Sequence, residues 1–454
     1  MALLDGLPIF VLGAIPGQKV QVSIQKRKDN FAEGKLLKVL QTAPGEIRPR
    51  CKHFWDCGGC VWQHLPYDRQ ILYKENIVKE TLEHVTPVDE KVRKSLPGRV
   101  LSIIPSPQVF YYRNKLELSF GQSDTVVKDD AKTIPLEASG GIGFHQPNQW
   151  ASILPITECH LYDEQISALL LEVNRFMEQT RLPVYNPRTH KGVLRSLLLR
   201  RGIHTGEQML CFLVQARKRE LEPLFQHFMR FGQHPHVTSL LIVEHFGLND
   251  KPDHPQMHVL KGQPFIRERL IDLTFELSPF SFFQTNTLAA EKLYQCIAKV
   301  ADLSQKDTVL DCYCAIGSIG QYLARFAKKV VGVESAASAV EDALRSAGKN
   351  KIGNISFYKG NAEDVLNKQL APGGKYAFDC IVVDPPRAGL HPDATKAVIA
   401  HNPKKIVYVS CNTATFARDL GEFLKAGYEL RTVQPVDMFP HTAHIETVSV
   451  LQKK

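Results

Sequence analysis

Residues 308–320 read TVLDCYCAIGSIG. An apolar run of strand length, Thr308 to Tyr313, ends in a turn carrying Gly317 and Gly320 and leads into helical sequence. A strand that turns tightly into a helix lets the backbone approach a ligand at the carboxyl end of a sheet. Ala315 stands where the dinucleotide fingerprint has glycine, so the turn alone names no cofactor. Working outward, KVVGVE (329–334), ISFYKG (355–360), FDCIVVD (378–384) and KIVYVS (405–410) repeat the strand pattern, with helical stretches from 317, 336 and 412. Alternating strands and helices predict an α/β fold with a parallel sheet covered on both faces. ELRTVQPVDMF (429–439) and ETVSVLQ (446–452) close the chain as two strands joined by a loop, an antiparallel end to that sheet.

Upstream the pattern changes. Residues 1–45 alternate in short runs, PIFVLG, KVQVSIQ and KLLKVLQ, punctuated by Pro16-Gly17 and Pro44-Gly45, which predicts a small β-barrel. A helix rich in Lys and Glu follows at 67–84. Residues 193–201 and 207–217 flank His204-Thr205-Gly206 as a hairpin inside an α+β region. The expected division is a barrel segment over 1–45, a central domain over 46–270 and a C-terminal domain over 271–454.

The chain has 454 residues, 44% hydrophobic and 23% charged, which excludes a mainly disordered or fibrous protein. No apolar run approaches the roughly 18–20 residues that span a bilayer, and LPIFVLGAIPG lacks the basic flank of a leader. A cytoplasmic protein without membrane contact is expected, as a monomer. Fifty-six basic residues face 47 acidic ones, net +9, and residues 188–219 carry eight basic residues against Glu207 alone. That balance favours a polyanionic partner over a solvated face, and the basic run from Arg188 to Arg219, Arg200 and Arg201 among it, and the basic amino-terminal segment are the expected phosphate grips.

Ten cysteines without a secretory signal argue against disulfides. Cys51, Cys57 and Cys60 crowd into PRCKHFWDCGGCVWQ, and Cys159 follows far away in ITECHL. Four soft thiolates suit a 4Fe–4S cluster or a structural zinc ion. Three ligands together and one remote fit the cluster better. Zinc stays open, with His53, His64 and His160 nearby.

Three strand ends carry chemistry. Glu334 closes its strand where a carboxylate accepts from ribose hydroxyls. Asn361, in GNAED, stands after the next strand, where an amide can read an adenine edge. Asp384-Pro385-Pro386-Arg387 holds a carboxylate at the cleft mouth on a loop stiffened by two prolines. Ser410-Cys411-Asn412 places a thiol at a strand end just before a helix, where backbone N–H groups are expected to lower its pKa. Pro440-His441-Thr442-Ala443-His444-Ile445-Glu446 sets a polar cluster before the last strand, with Glu446 a candidate base.

In combination these motifs resemble the RNA uracil-5 methyltransferases, closest to the bacterial iron–sulfur type that modifies 23S ribosomal RNA. The likeness runs through GLPIFVLGAIPGQKV (similar to a TRAM or OB-like barrel, expected here to be truncated by its first strand), the cysteine segment, YYRNKLELSFG, GFHQPNQWASILPITECHL, SPFSFFQTNT, DPPRAGLH, VYVSCNTATFARDL and PHTAHIETVSVL. The resemblance implies a Rossmann-like C-terminal domain that binds S-adenosylmethionine. Cys411 would be the nucleophile and Glu446 the proton-abstracting base. Gln284, Tyr313, Ser318, Glu334, Asn361 and Asp384 would contact the cofactor, and Cys51, Cys57, Cys60 and Cys159 would hold the 4Fe–4S cluster. Ala315 and Ser318 depart from the Gly and Asn common in the family. The implied partner is ribosomal RNA, with tRNA the alternative. A cytosine-5 enzyme would show Pro-Cys or Thr-Cys where this chain has Ser410-Cys411. A non-catalytic iron–sulfur RNA-binding protein would need neither Cys411 nor Glu446.

Overall fold

The computed structural model describes the chain except residues 1, 5, 123–127, 130, 131, 134–139, 148, 250, 251, 253 and 254. Four amino-terminal strands, β1 (Ala2–Leu4), β2 (Leu7–Leu12), β3 (Lys19–Arg27) and β4 (Ala32–Gln41), form a sheet in the order β1-β2-β4-β3. The expected barrel is an open sheet here: β1 and β3 are its outer strands and no ladder joins them among the described residues. β2 and β4 run parallel. Ile15 and Ala43 seat this sheet on Leu65, beside Trp62 and Tyr73.

The cysteine segment contains one short helix, α1 (Phe54–Cys57), ended by Gly58 at φ +69°. Next comes α2 (Tyr67–Leu82), close to the helix expected from sequence. Val78 and Leu82 of α2, with Val85 and Leu96, pack on the C-terminal sheet rather than the central one.

The central sheet contains β5 (Lys115–Gly121) and, beyond a separate two-stranded pair β6 (Lys128–Asp129) and β7 (Lys132–Thr133), β8 (Gly141–Gln146), β9 (Gln149–Pro155), β10 (Leu194–Arg201), β11 (Gln208–Val214), β12 (Val237–Glu244) and β13 (Gln256–Lys261). Its order is β13-β12-β11-β10-β5-β8-β9. The hairpin read around His204-Thr205-Gly206 is present, with Leu198 opposite Cys211 and Arg201 opposite Gln208. A small pair, β14 (Ile266–Leu270) and β15 (Leu273–Leu277), leads into the C-terminal half.

That half is built on β16 (Thr308–Cys312), β17 (Lys329–Glu334), β18 (Ile355–Lys359), β19 (Cys380–Val383), β20 (Lys405–Ser410), β21 (Tyr428–Val436) and β22 (Glu446–Lys453), in the order β18-β17-β16-β19-β20-β22-β21. β16 to β20 are parallel, and β22 lies antiparallel between β20 and β21. The parallel strands read as continuous apolar runs because helices cover both faces; Val309, Leu310, Val382, Val383 and Val407 are fully buried. The chain reverses direction across the sheet between β16 and β19, which opens a crevice at the carboxyl ends of the strands.

Candidate active site

The turn after β16 is built on left-handed residues. Tyr313, Ala315 and Gly317 have φ of +63°, +48° and +73°. Gly317 is required twice over: a Cβ there would also stand 2.7 Å from the Phe357 ring. Ala315 takes the same region at a cost glycine would escape. Its N–H is held by Glu334 Oε2 at 3.0 Å, while Glu334 Oε1 accepts from Ala336 N–H at 2.8 Å. The Glu334 carboxylate therefore braces the turn and keeps lone pairs for a ligand.

Beside it lies a cavity of about 420 Å³, lined among others by Tyr313, Glu334, Asn361, Pro386, Leu390 and Arg418. Tyr313, Glu334 and Asn361 thus share one pocket, as the sequence suggested. Gln284, Ser318 and Asp384 are not among its lining residues. Ser318 is buried and bonds Tyr294 Oη at 2.7 Å. Gln284 is buried on the segment before the 287–301 helix, its carbonyl accepting from Asn114 Nδ2 at 2.8 Å. Asp384 follows β19, and burial pushes its carboxyl up to about 7. Asp311, buried under the turn, is pushed up to about 8 by burial, although Gly320 N–H donates to it at 2.8 Å. Its other oxygen has no hydrogen-bond partner.

A second cavity, about 270 Å³, opens over Cys411 and is lined by Ile77, Arg387, Cys411, Asn412, Thr413, Ala443, His444 and Ile445. One ladder brings its chemistry together. Ser410 pairs with Thr447 across β20 and β22, so Cys411 and Glu446 leave adjacent strands at the same end. Glu446 opens β22, is 4% exposed, and its Oε2 has no hydrogen-bond partner. Burial and then Asp384 hold its carboxyl well above the usual range, with Arg387 acting against them. Arg387 lies within 3.4 Å of both His444 ring nitrogens, and its carbonyl accepts from Asn412 Nδ2 at 3.0 Å. The DPPR loop, the SCN turn and the HTAHIE loop meet at this point.

The Cys411 thiol does not follow the expectation of a lowered pKa. It is pushed up to about 11, by burial first and then by Glu446 and Asp384. The following helix starts only at Thr413, and the Asn412 side chain caps it by accepting from Ala414 N–H. Little of the helix N-terminus is left for the sulfur.

Cys51, Cys57, Cys60 and Cys159 are all partly buried and converge from α1, its flanks and the 155–161 loop. Burial raises the Cys57 and Cys60 thiols to about 11 and 12, and Cys159 raises both further. Gln63 Nε2 donates to Cys60 Sγ at 3.2 Å. Among the described residues, no three His, Cys, Asp or Glu side chains close around a point that could hold one metal ion.

The basic run of the central domain turns inward. Arg200 is 1% exposed and donates to the carbonyls of Pro279 and Ser281. Arg201 pairs with Asp163 at 2.8 Å and donates to the carbonyls of Arg113 and Tyr111. Both staple the central sheet to its neighbours, so they are not the phosphate grips expected from sequence. Lys26, Arg27, Lys28, Lys35 and Lys38 on the amino-terminal sheet are exposed.

The family described as tRNA (Uracil-5-)-methyltransferase matches residues 259–454. An uncharacterized RNA methyltransferase of Bacteroides thetaiotaomicron is 35% identical over the whole chain and 98% of its own length. Another from Clostridium acetobutylicum is 37% identical, covering the whole chain and 94% of the relative. The crystal structure of Pyrococcus abyssi tRNA (uracil-54, C5)-methyltransferase in complex with S-adenosyl-L-homocysteine is similar at a TM-score of 0.71 and 28% identity, over 98% of this chain and 95% of that one. With a thiol and a buried carboxyl leaving adjacent strands at the same end of the sheet and these relatives aligned over the whole chain, the chain belongs to the RNA uracil-5 methyltransferase family.

Proposed function

We propose that this chain methylates carbon 5 of a uridine in structured RNA through a covalent adduct on Cys411. The observation that carries the reading is the convergence of Cys411 and the unpartnered Glu446 carboxyl at one end of the β20–β22 ladder. Carbon 5 of uracil is a weak nucleophile. Cys411 gives up its thiol proton to solvent, Sγ adds to carbon 6 as the thiolate, and the C5=C6 electron pair moves toward the carbon-4 carbonyl, which makes carbon 5 nucleophilic. Once carbon 5 carries its new methyl group, Glu446 takes the carbon-5 proton. The pair then re-forms C5=C6 and expels the Cys411 thiolate. Arg387, against His444, puts a cation on the wall of the cavity over Cys411.

S-Adenosylmethionine, when bound, supplies an electrophilic methyl group on a cationic sulfur. The chain suits it: Tyr313, Glu334 and Asn361 line one pocket, and the Asp311 and Asp384 carboxyls have no cation against them. Gln284, Ser318 and Asp384 are read as its methionine-side neighbours, from the family motif they occupy. Cys51, Cys57, Cys60 and Cys159 are read as ligands of a 4Fe–4S cluster with a structural role; four mutually close thiols and an N–H···S bond from Gln63 support this. We take 23S ribosomal RNA as the target on the strength of the cysteine set and the basic amino-terminal sheet, with tRNA as the second reading, carried by the likeness to the Pyrococcus abyssi enzyme. A target base must leave its stack, at a cost of about a few kcal/mol that phosphate contacts offset.

Two measurements test the reading. Mass mapping of 5-methyluridine in ribosomal and transfer RNA from cells lacking the protein should show one or more sites lost; full retention in both would refute it. Glu446→Gln should accumulate a denaturation-resistant protein–RNA band that Cys411→Ala lacks. No band from Glu446→Gln would remove Glu446 as the base.

A further inference from the structure

Glu446 has no hydrogen bond to fix its free oxygen. Its place depends on the loop 437–445 that joins β21 to β22. That loop is gripped from outside. Met438 carbonyl accepts from Asn286 Nδ2 at 3.1 Å, Phe439 carbonyl from Lys74 Nζ at 2.9 Å, and Pro440 carbonyl from Tyr112 Oη at 3.1 Å. His441 carbonyl accepts from Val61 and Trp62 N–H at 2.9 and 3.0 Å. Four successive carbonyls are held by groups distant in sequence.

Beyond the Lys74 bond, α2 makes further contacts to the loop at Asp437 and His441. Tyr67, Gln70, Lys74, Ile77 and Thr81 fall three and four apart, so they form one stripe along the helix. Tyr67 Oη donates to Asp437 Oδ2 at 2.9 Å, and Lys74 Nζ meets Asp437 Oδ1 at 2.6 Å with both side chains fully buried. Gln70 Oε1 accepts from His441 N–H at 2.7 Å, and its amide donates toward His441 Nδ1, Trp62 carbonyl and Leu65 carbonyl. Ile77 lines the cavity over Cys411, and Thr81 Oγ1 lies 3.3 Å from Thr413 Oγ1, just past the nucleophile. His441 itself sits at φ +65°, a conformation that an L residue holds only when its surroundings impose it.

A buried ion pair is a poor source of stability, because desolvation offsets its attraction. A fully buried amide with every hydrogen used is likewise a device for fixing geometry. We propose that Gln70 and Lys74 are positioning residues: they lock the 437–445 loop onto α2 and so set the place of Glu446 relative to Cys411. This rests on the reading of Glu446 as the base. The consequence is selective. Loosening the clamp leaves nucleophilic attack intact and slows removal of the carbon-5 proton, since displacement of a reacting group by about 1 Å costs up to about a hundredfold.

The test compares adduct formation with adduct release. RNA transcripts of 23S ribosomal RNA and tRNA, made with uracil or with 5-fluorouracil, are offered to the full-length protein with S-adenosylmethionine. Fluorine at carbon 5 cannot leave as a proton does, so that RNA reports attack and methylation alone. In Gln70→Met the fluorinated adduct should form at the wild-type rate, while the adduct on ordinary RNA persists tenfold longer or more. Lys74→Met combined with Asp437→Leu, which leaves no unpaired charge, should behave likewise should Gln70→Met fail to fold. Wild-type release in a folded variant would overturn the proposal. A parallel loss of formation and release would also overturn it, by reducing the clamp to a structural role. Glu446→Gln runs as the control: failure of its adduct to accumulate would remove the base assignment and the clamp with it. Accumulation in Glu446→Gln but not in Gln70→Met would remove the clamp alone.

Discussion

The Cys411 thiol of the free protein should be protonated and sluggish at neutral pH. Burial, Glu446 and Asp384 push it up to about 11. At pH 8 such a thiol is about one part in a thousand thiolate, whereas an ordinary cysteine near 8.5 is about one part in four. The ratio is about 240. Nucleophilicity rises with basicity with a coefficient of about 0.4–0.5, which returns about 10–20-fold over that interval. Cys411 should therefore react with iodoacetamide about 10–25-fold more slowly than an ordinary thiol at pH 8, before any loss of access. The pH profile separates ionisation from access. The alkylation rate, followed by mass spectrometry of the peptide carrying Cys411, should climb about tenfold per pH unit from 7 to 9.5 without levelling. A plateau by pH 8 would refute the reasoning and restore the thiolate stabilised by a helix terminus.

Other expectations are independent of this one. Ala315→Gly should stabilise the protein by about 0.5–1 kcal/mol in urea denaturation, because glycine adopts φ +48° without the Cβ penalty but is freer when unfolded; a destabilised variant would mean that the alanine methyl group contributes packing worth more than the strain. Arg200→Leu should lose about 2–4 kcal/mol in the same assay, since the carbonyls of Pro279 and Ser281 lose a charged donor; a stable variant with weakened RNA binding would return Arg200 to the RNA surface. Protein purified without oxygen should be brown with about four irons per chain. About one zinc and no visible absorbance would replace the cluster with a structural zinc ion.

The C-terminal sheet was legible because strands covered on both faces are written as unbroken apolar runs, and two of the cavity-lining residues, Glu334 and Cys411, stand at or just past the end of such a run. The inward arginines could have been read the same way. Leu197, Leu198 and Leu199 are all fully buried, so that strand is covered on both sides, and the arginines that follow it start inside the protein. The Cys411 thiol was misjudged because a helix terminus is local and visible in sequence. What outweighs it is burial first, and then two carboxyls contributed from the end of β19 and the start of β22. The clamp was invisible for the same reason at greater range: Lys74 and Asp437 are 363 positions apart, and Gln70 and His441 371. Neither pair belongs to a motif that spacing alone could join.

The position of Glu446 also bears on how the protein is made. In the proposed reaction, a chain with Cys411 but no Glu446 would bond to its RNA without release and sequester it. Glu446 is not on a dispensable tail. It opens β22, the inner strand between β20 and β21. A chain stopped short of this strand, or degraded back past it, loses the partner of both neighbours and leaves β20 with a bare edge beside the nucleophile. Synthesis on the ribosome thus delivers Glu446 and the last inner strand together, so a chain that lacks this carboxyl also lacks an inner strand of the sheet.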